Sequence, residues 1–217
     1  MAMYDVTPHQ QETVSLSLRE RQKWVAQSAI EETALRLFLQ QGYEHTSIQD
    51  IASAVKMSPR TFFRYFASKD EVLLGPMRVA QQEALIALQR MMPTSTPHAA
   101  LRAMLMLLAR RYEKQRDGFV LRYQVVIQSP SIAALFLFTF VEAEPAISRA
   151  LYTHLEAATD RNEIRFLVAL HMAALRVAIE EWLEHEANAE RQEDLISILS
   201  HQLDYLSSLP AKKTGAQ

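Results

Sequence analysis

Lys56, Arg60, Arg64 and Lys69 stand in a stretch, Ile51 to Lys69, that contains no acidic residue. Inside it, Ser58-Pro59-Arg60-Thr61 has the form of a helix start. A serine hydroxyl accepts a hydrogen bond from a free N–H of the first turn, and a proline at the first helical position gives up an N–H that has no partner there anyway. A helix start presents free N–H groups and partial positive charge to phosphate oxygens, while side chains on its first turn reach base edges in the major groove. Arg60 and Thr61 occupy that turn, and the arginine fork matches O6 and N7 of guanine. The chemistry these residues suit is nucleic-acid recognition. Four cations at this spacing also fit a solvated helix face, so charge alone leaves both readings open.

Positioning such a helix requires a partner helix and a tight turn. Trp24, Ala26, Ile30, Thr33, Ala34, Leu37 and Phe38 recur at helical spacing up to Gly42, which predicts a first helix over 20–41. Ser47 with Asp50 three positions later starts a short second helix carrying Ile51, Ala52 and Val55. A turn at Val55 to Met57 then leads into a third helix over 59–65. Ser68-Lys69-Asp70-Glu71 reads as a capping box opening a fourth helix at 69, which Gly75-Pro76 should kink or break. The second and third helices have the logic of a helix-turn-helix, with Ile51, Ala52, Val55, Phe62 and Phe66 as its small core. A helical corner with no nucleic-acid role would show the same local pattern.

The remainder is helical as well. With 4 glycines and 8 prolines in 217 residues, the turns of a β-sandwich or barrel lack their usual residues, and the helix-favouring side chains dominate. The fold class is therefore all-α. Further helices are expected over 98–115, 118–128, 130–157 with Ser129 as cap and a kink at Pro145, 161–187 capped by Asp160 with Glu163, and 191–208. The run Ile132 to Val141, apolar except for Thr139, is about half the length of a membrane span and reads as a buried core helix. The polar segments 1–18 and 210–217 read as flexible tails, flanking a DNA-binding unit over 19–67 and a larger C-terminal domain over 68–209.

Several function classes are excluded by inventory. The absence of cysteine removes thiolate metal sites and disulfides and suits a cytoplasmic protein. No basic, apolar leader opens the chain, and no membrane partner is expected. No two of the 7 histidines lie four apart, and Glu181 with His185 falls among other acids on a solvated stretch. Neither a glycine-rich phosphate loop nor a nucleophile elbow is present, so neither an enzyme nor a cofactor is expected. The net charge of -2 argues against nonspecific coating of nucleic acid but not against local recognition.

Leu37-Phe38-Leu39-Gln40-Gln41-Gly42-Tyr43-Glu44, then Thr46-Ser47-Ile48-Gln49-Asp50-Ile51-Ala52, then Ser58-Pro59-Arg60-Thr61-Phe62-Phe63-Arg64-Tyr65-Phe66-Ala67-Ser68-Lys69-Asp70 resembles the DNA-binding domain of the TetR family of transcriptional regulators. The resemblance runs over roughly residues 20–75 without gaps. It implies that 59–65 is the recognition helix, with Arg60 and Thr61 at contact positions and Thr61 on phosphate. It further implies backbone contacts for Tyr65 and Lys69, a DNA-facing placement for Ser47 and Gln49, and a basic lead-in at Arg19, Arg21 and Lys23. Two positions depart from the pattern. Phe63 stands where the family has tyrosine, and Lys56 stands at the turn position where it favours glycine. A non-glycine residue at positive φ costs about 1 kcal/mol, which a phosphate contact from Lys56 would offset.

One recognition helix reads few bases, so a dimer on two half-sites is expected. On the helix over 161–187, one apolar stripe runs through Ile164, Val168, His171, Leu175 and Trp182, and a second through Phe166, Leu170, Ala173, Ala174 and Val177. The last helix repeats this with Leu195, Leu199 and Leu206 against Ile198, Leu203 and Tyr205. Phe166, Leu170, Val177, Leu195, Leu199, Leu203 and Leu206 are thus the expected homodimer contacts. Met104, Leu108, Tyr112, Phe119, Tyr123, Phe136, Phe140 and His171 would line a cavity for a small apolar or amphipathic effector. The function implied is a ligand-responsive repressor on a palindromic operator; an activator, or a helical binding module that does not read DNA, are the alternatives.

Overall fold

The computed structural model describes residues 17–155, 160–188 and 193–208. Among these residues the chain forms nine α-helices and no strand. Helix α1 spans Leu18–Gln41, and its cap is Ser17, whose hydroxyl accepts from the Glu20 N–H while the Glu20 carboxylate returns to the Ser17 N–H. The expected N-terminal tail therefore gives way to helix at Leu18; its first sixteen residues, like the C-terminal tail, lie outside the described residues. Helix α2, Ile48–Ala54, carries the capping box of Ser47 and Asp50. Helix α3 is Pro59–Phe62, shorter than the expected 59–65. The chain tightens after Phe62: Arg64 and Tyr65 donate to carbonyls three residues back, at 3.1 and 2.8 Å, so the last turn is wound as a 3₁₀ turn.

Helix α4, Lys69–Met91, runs through Gly75 and Pro76 without a break. Its cap differs from a full box. The Ser68 hydroxyl accepts from the Glu71 N–H, but the Glu71 carboxylate accepts from Ala67 rather than from Ser68. After a 3₁₀ turn over Met92–Thr94, Thr96 caps α5, Pro97–Lys114, with Pro97 at its first position. Helices α6, Arg116–Gln128, and α7, Pro130–Tyr152, meet at Ser129, which caps α7 as expected. Helix α8 spans Arg161–Asn188 and α9 spans Leu195–Ser208. The Asp160 carboxylate accepts from the Asn162 N–H at the start of α8.

One core runs the length of these helices. In the N-terminal unit Ile30, Phe38, Ile51 and Phe62 are fully enclosed; farther on, Leu101, Leu105, Ile132, Leu151, Leu175 and Trp182 are. Helix α7 packs along α4 and α8, and α9 packs along α5 and α8. The apolar run 132–141 is not a wholly buried helix. Ile132, Phe136 and Phe140 face the core, whereas Leu135, Leu137, Phe138 and Val141 face outward, because the run is apolar on every side and only one side has a neighbour. By length and composition alone α7 is also apolar enough to cross a membrane.

Two carboxylates tie the N-terminal unit to the rest. Glu31 of α1 accepts from Arg122 Nη2 of α6 at 2.6 Å, and Arg122 Nη1 donates to the Gly118 carbonyl at 2.9 Å. Burial holds the Glu31 carboxyl above the usual carboxylate range and the Arg122 guanidinium below its own, each partly restored by the other. At the far end of α6, Glu44 accepts from the hydroxyls of Ser129 and Ser131. Helix α6 is thus fastened at its middle to α1 and at its C-terminal end to the loop after α1.

His171 is buried between α8 and α5. One ring nitrogen lies 2.8 Å from the Leu167 carbonyl and the other 3.1 Å from His98 Nδ1. Burial holds its imidazole below the ordinary histidine range, and the charges of His98 and Arg102 push the same way. The folded state therefore resists protonating it. The stability associated with this group is complete above the unfolded value of about 6.5 and is lost as pH falls through the lowered folded value. Thermal melts between pH about 7.5 and about 5 should show a decline that His171→Gln flattens; an unaltered decline would assign it to other groups.

Candidate nucleic-acid interface

The helix-turn-helix is built from local rules. Ser58 Oγ accepts from the Thr61 N–H at 3.1 Å and lies 2.9 Å from Thr61 Oγ1, so the two hydroxyls share one hydrogen bond and leave a second donor facing outward. Pro59 is half-buried at the first helical position and Arg60 beside it is exposed. Phe62 is fully buried and in edge contact with Phe63, which is 53% exposed. The Arg64 guanidinium lies 5.9 Å from the Tyr65 ring centre, and Tyr65 packs half-buried against the core. Ser47 Oγ donates to Asp50 at 2.6 Å, holding that carboxyl below the usual range, and Gln49 is exposed with its amide 3.3 Å from Ser53.

Lys56 has φ of +55°, the left-handed region that favours glycine. Its N–H donates to the Ser53 carbonyl at 3.1 Å, closing the turn, and its side chain is exposed. Among the described residues its ammonium makes no hydrogen bond or ion pair. Lys56→Gly is therefore expected to raise stability by up to about 1 kcal/mol while lowering the slope of DNA affinity against salt by about one ion per chain. A denaturant titration read beside a salt series checks both, and an unchanged slope would remove Lys56 from the interface.

Lys69 has partners inside the chain. Its ammonium donates to the Tyr43 carbonyl at 2.7 Å and the Thr46 carbonyl at 3.1 Å, and sits 4.1 Å from the Tyr43 ring centre. Desolvation lowers its pKa, partly restored by Glu44. With two of three N–H donors committed, Lys69 joins the start of α4 to the loop before α2 and keeps one N–H uncommitted. Thr46, whose hydroxyl donates to the Gly42 carbonyl at 2.8 Å, and Tyr43, packed 5.0 Å from Phe38, complete this support. Neither stood out in the sequence, because their partners are backbone groups or distant side chains.

The C-terminal candidates separate into groups. Met104 and Leu108 line a cavity of about 220 Å³ among α4, α5, α7 and α8. Tyr112 and Phe119 line a second, of about 450 Å³, at the junction of α1, α4, α5 and α6. Tyr123, Phe136 and Phe140 pack edge to face on one another, at 5.8 and 5.3 Å, and line neither cavity. His171 also lines neither; its two nitrogens are engaged by Leu167 and His98, so it is a satisfied core histidine. Arg176 is likewise paired, with Glu180 at 2.7 Å.

For the dimer face, Phe166 is 66% exposed and Val177 41%, with Leu170 and Leu206 half-buried. Leu195, Leu199 and Leu203 are corrected: all three are enclosed in the chain's own core, because α9 has a single apolar face and it is spent on α5 and α8. The outward face of α9 shows Ser197, His201, Asp204 and Tyr205. Among the described residues no three histidines, aspartates or glutamates gather in a way that would hold a metal ion.

The family described as bacterial regulatory proteins, tetR family, matches residues 30–75. The HTH-type transcriptional regulator TcmR of Streptomyces glaucescens is 34% identical over 172 residues, which is 76% of this chain and 76% of that protein. FadR of Thermus thermophilus, a TetR family repressor solved in complex with lauroyl-CoA, has a similar fold, with a TM-score of 0.52 at 20% identity over 88% of this chain and 98% of that one. A transcriptional regulator from Aquifex aeolicus gives 0.50 at 20% identity, over 83% and 97%.

Proposed function

Because this chain belongs to the TetR family of DNA-binding transcriptional regulators, we propose that it is a cytoplasmic homodimeric repressor that leaves a palindromic operator when a small apolar or amphipathic molecule binds it. Residues 19–67 read DNA, and 68–209 bind effector and partner. The observation that carries the reading is the start of α3: a capped helix end in an acid-free stretch, with Arg60 exposed on its first turn and Phe63 beside it. The N–H groups there meet phosphate and Arg60 meets a guanine edge. Ser47, Gln49, Lys56, Thr61, Arg64 and Tyr65 are the surrounding contacts.

The exposed stripe of α8 favours a dimer. Phe166 and Val141 line one groove between α7 and α8, and Leu137, Phe138 and Val177 extend the exposed apolar surface. An apolar surface of this kind on a globular chain marks an interaction site. We place the partner there, on α7 and α8, instead of on α9. The effector enters the helical domain, where Met104 and Leu108 already border an apolar cavity. It lowers DNA affinity only to the extent that it binds the DNA-free arrangement better, and DNA weakens the effector by the same factor.

Selection of bound fragments from a random DNA library tests the reading directly. The expected product is an inverted repeat whose half-sites lie about 34–36 Å apart, one turn of B-DNA. A selection that enriches nothing would leave the chain as a helical binding module that does not read DNA.

A further inference from the structure

We propose that the cavity at the junction of α1, α4, α5 and α6 binds a small aromatic carboxylate, whose head group takes Arg122 away from Glu31. The proposal deepens the ligand-responsive reading and rests on it for its regulatory consequence. The cavity measures about 450 Å³, within the range that encloses a small metabolite. Pro76 and Met77 of α4 and the rings of Tyr112 and Phe119 form its apolar wall, and Glu31 and Arg122 belong to a polar lining that also holds Glu113, Lys114, Arg116 and Asp117. Tyr112 and Phe119 lie 4.6 Å apart at 40°, and Phe119 is 5.9 Å from Trp182, so an aromatic body entering here meets a wall of rings.

The unsatisfied groups decide the sign of the ligand. Arg122 Nε and the Tyr112 hydroxyl are both buried without a hydrogen-bond partner, and Tyr112 is only 2% exposed. The Tyr112 hydroxyl can donate or accept, but Arg122 Nε can only donate, and a buried donor left unpaired is costly. An acceptor satisfies both, so the ligand brings oxygens rather than an ammonium group. The nearby acid Glu113 is already committed to the Ile196 N–H at 3.0 Å and does not call for a cation. A planar carboxylate suits a guanidinium because both its oxygens are met at once. Glycine at position 118 leaves room for the guanidinium: a Cβ there would lie 2.9 Å from Arg122 Nη1.

The consequence for regulation follows from connectivity. Glu31 belongs to the helix that carries the DNA-reading unit, and Arg122 to the helix that lines the cavity. A ligand carboxylate competes with Glu31 for one guanidinium, so occupancy loosens one of the two fastenings of α6. This site is separate from the apolar cavity bordered by Met104 and Leu108.

Calorimetric titration of the full chain, free of DNA, with 2-naphthoate and with its neutral counterpart 2-naphthamide tests the site. The carboxylate should bind with a Kd below about 1 mM, and the amide about tenfold more weakly. Arg122→Gln should abolish the heat, Tyr112→Phe should weaken it several-fold, and Gly118→Ala should weaken it with all charges retained. Glu31→Gln should tighten binding, because it removes the competitor; Met104→Leu should leave it unchanged. No heat with the wild-type chain below about 1 mM, equal binding of acid and amide, or weakening by Glu31→Gln as well as by Arg122→Gln would overturn the proposal. Thermal melts accompany each variant, and should Arg122→Gln fail to fold, Tyr112→Phe and Gly118→Ala carry the test. A second measurement separates this site from the broader reading. If naphthoate binds by these rules and DNA stays bound, the site stands and its coupling to DNA release falls. If another molecule releases DNA from wild-type and Tyr112→Phe chains alike while naphthoate does not bind, the repressor stands and this site falls.

Discussion

A Phe166→Asp chain is expected to run as a monomer in native mass spectrometry and to bind its selected DNA about 10²–10⁴-fold more weakly than the parent. Two linked half-site contacts turn the second binding event into an intramolecular one, and the loss of that linkage is larger than the loss of any single side-chain contact. Phe166 is 66% exposed, so a carboxylate at this position is solvated in the free chain and costs little there. In a dimer that covers the α7 and α8 face the same carboxylate is buried without a partner, which is expensive. The melting temperature of dilute monomer should stay unchanged. Leu199→Asp provides the contrast: Leu199 is fully enclosed, so that variant should lose its fold rather than its partner. A Phe166→Asp chain that remains dimeric and binds DNA normally would move the interface elsewhere.

Arg60→Ala should weaken binding of the selected DNA by about 1–3 kcal/mol and relax base preference at one position of each half-site. The side chain is exposed on a cap-stabilised turn, and its removal leaves Ser58, Pro59 and the Phe62 anchor in place, so the effect falls on recognition and not on folding. Lys69→Met should behave differently. It removes two hydrogen bonds to the Tyr43 and Thr46 carbonyls, so it should lower thermal stability and DNA affinity together, with the salt dependence little altered. If Lys69→Met instead flattens the salt dependence and spares the melting temperature, its ammonium meets phosphate after all. Footprint titrations at several salt concentrations distinguish these outcomes.

What the sequence made legible were features decided within one turn of chain. Ser47 with Asp50, Ser58 with Pro59, and Ser129 with Pro130 announce helix starts because cap and proline act on adjacent N–H groups, and each start was found. Lys56 was marked because a single φ angle separates glycine from other residues, and that angle is positive. The first stripe on α8 faces the core, and Phe166, Ala173 and Val177 of the second face outward while Ala174 is buried. Features that depend on distant residues were illegible. Lys69 finds its carbonyls 23 and 26 residues away, and Arg122 finds Glu31 91 residues away. The leucines of α9 were ambiguous for another reason: periodicity reports that a face is buried, not whether the covering surface belongs to the same chain. The ending of α3 at Phe62 was missed because the N–H groups of Arg64 and Tyr65 reach back three residues rather than four, a difference that periodicity does not report.

The pair of acids that fasten α6 has a consequence for recombining this protein with its relatives. A chimera that keeps the helical domain and imports a foreign DNA-reading unit, joined at Ala67, keeps Arg122, Ser129 and Ser131 but inherits whatever residues the donor has opposite them. Without an acid at the position of Glu31, Arg122 is left as a largely buried cation whose remaining partner is the Gly118 carbonyl. Without one at the position of Glu44, the junction of α6 and α7 loses its acceptor. A graft made without regard to these two positions would bind DNA through an intact reading head while its effector response came uncoupled. In such a graft residues 31 and 44 should keep the recipient's identity rather than the donor's.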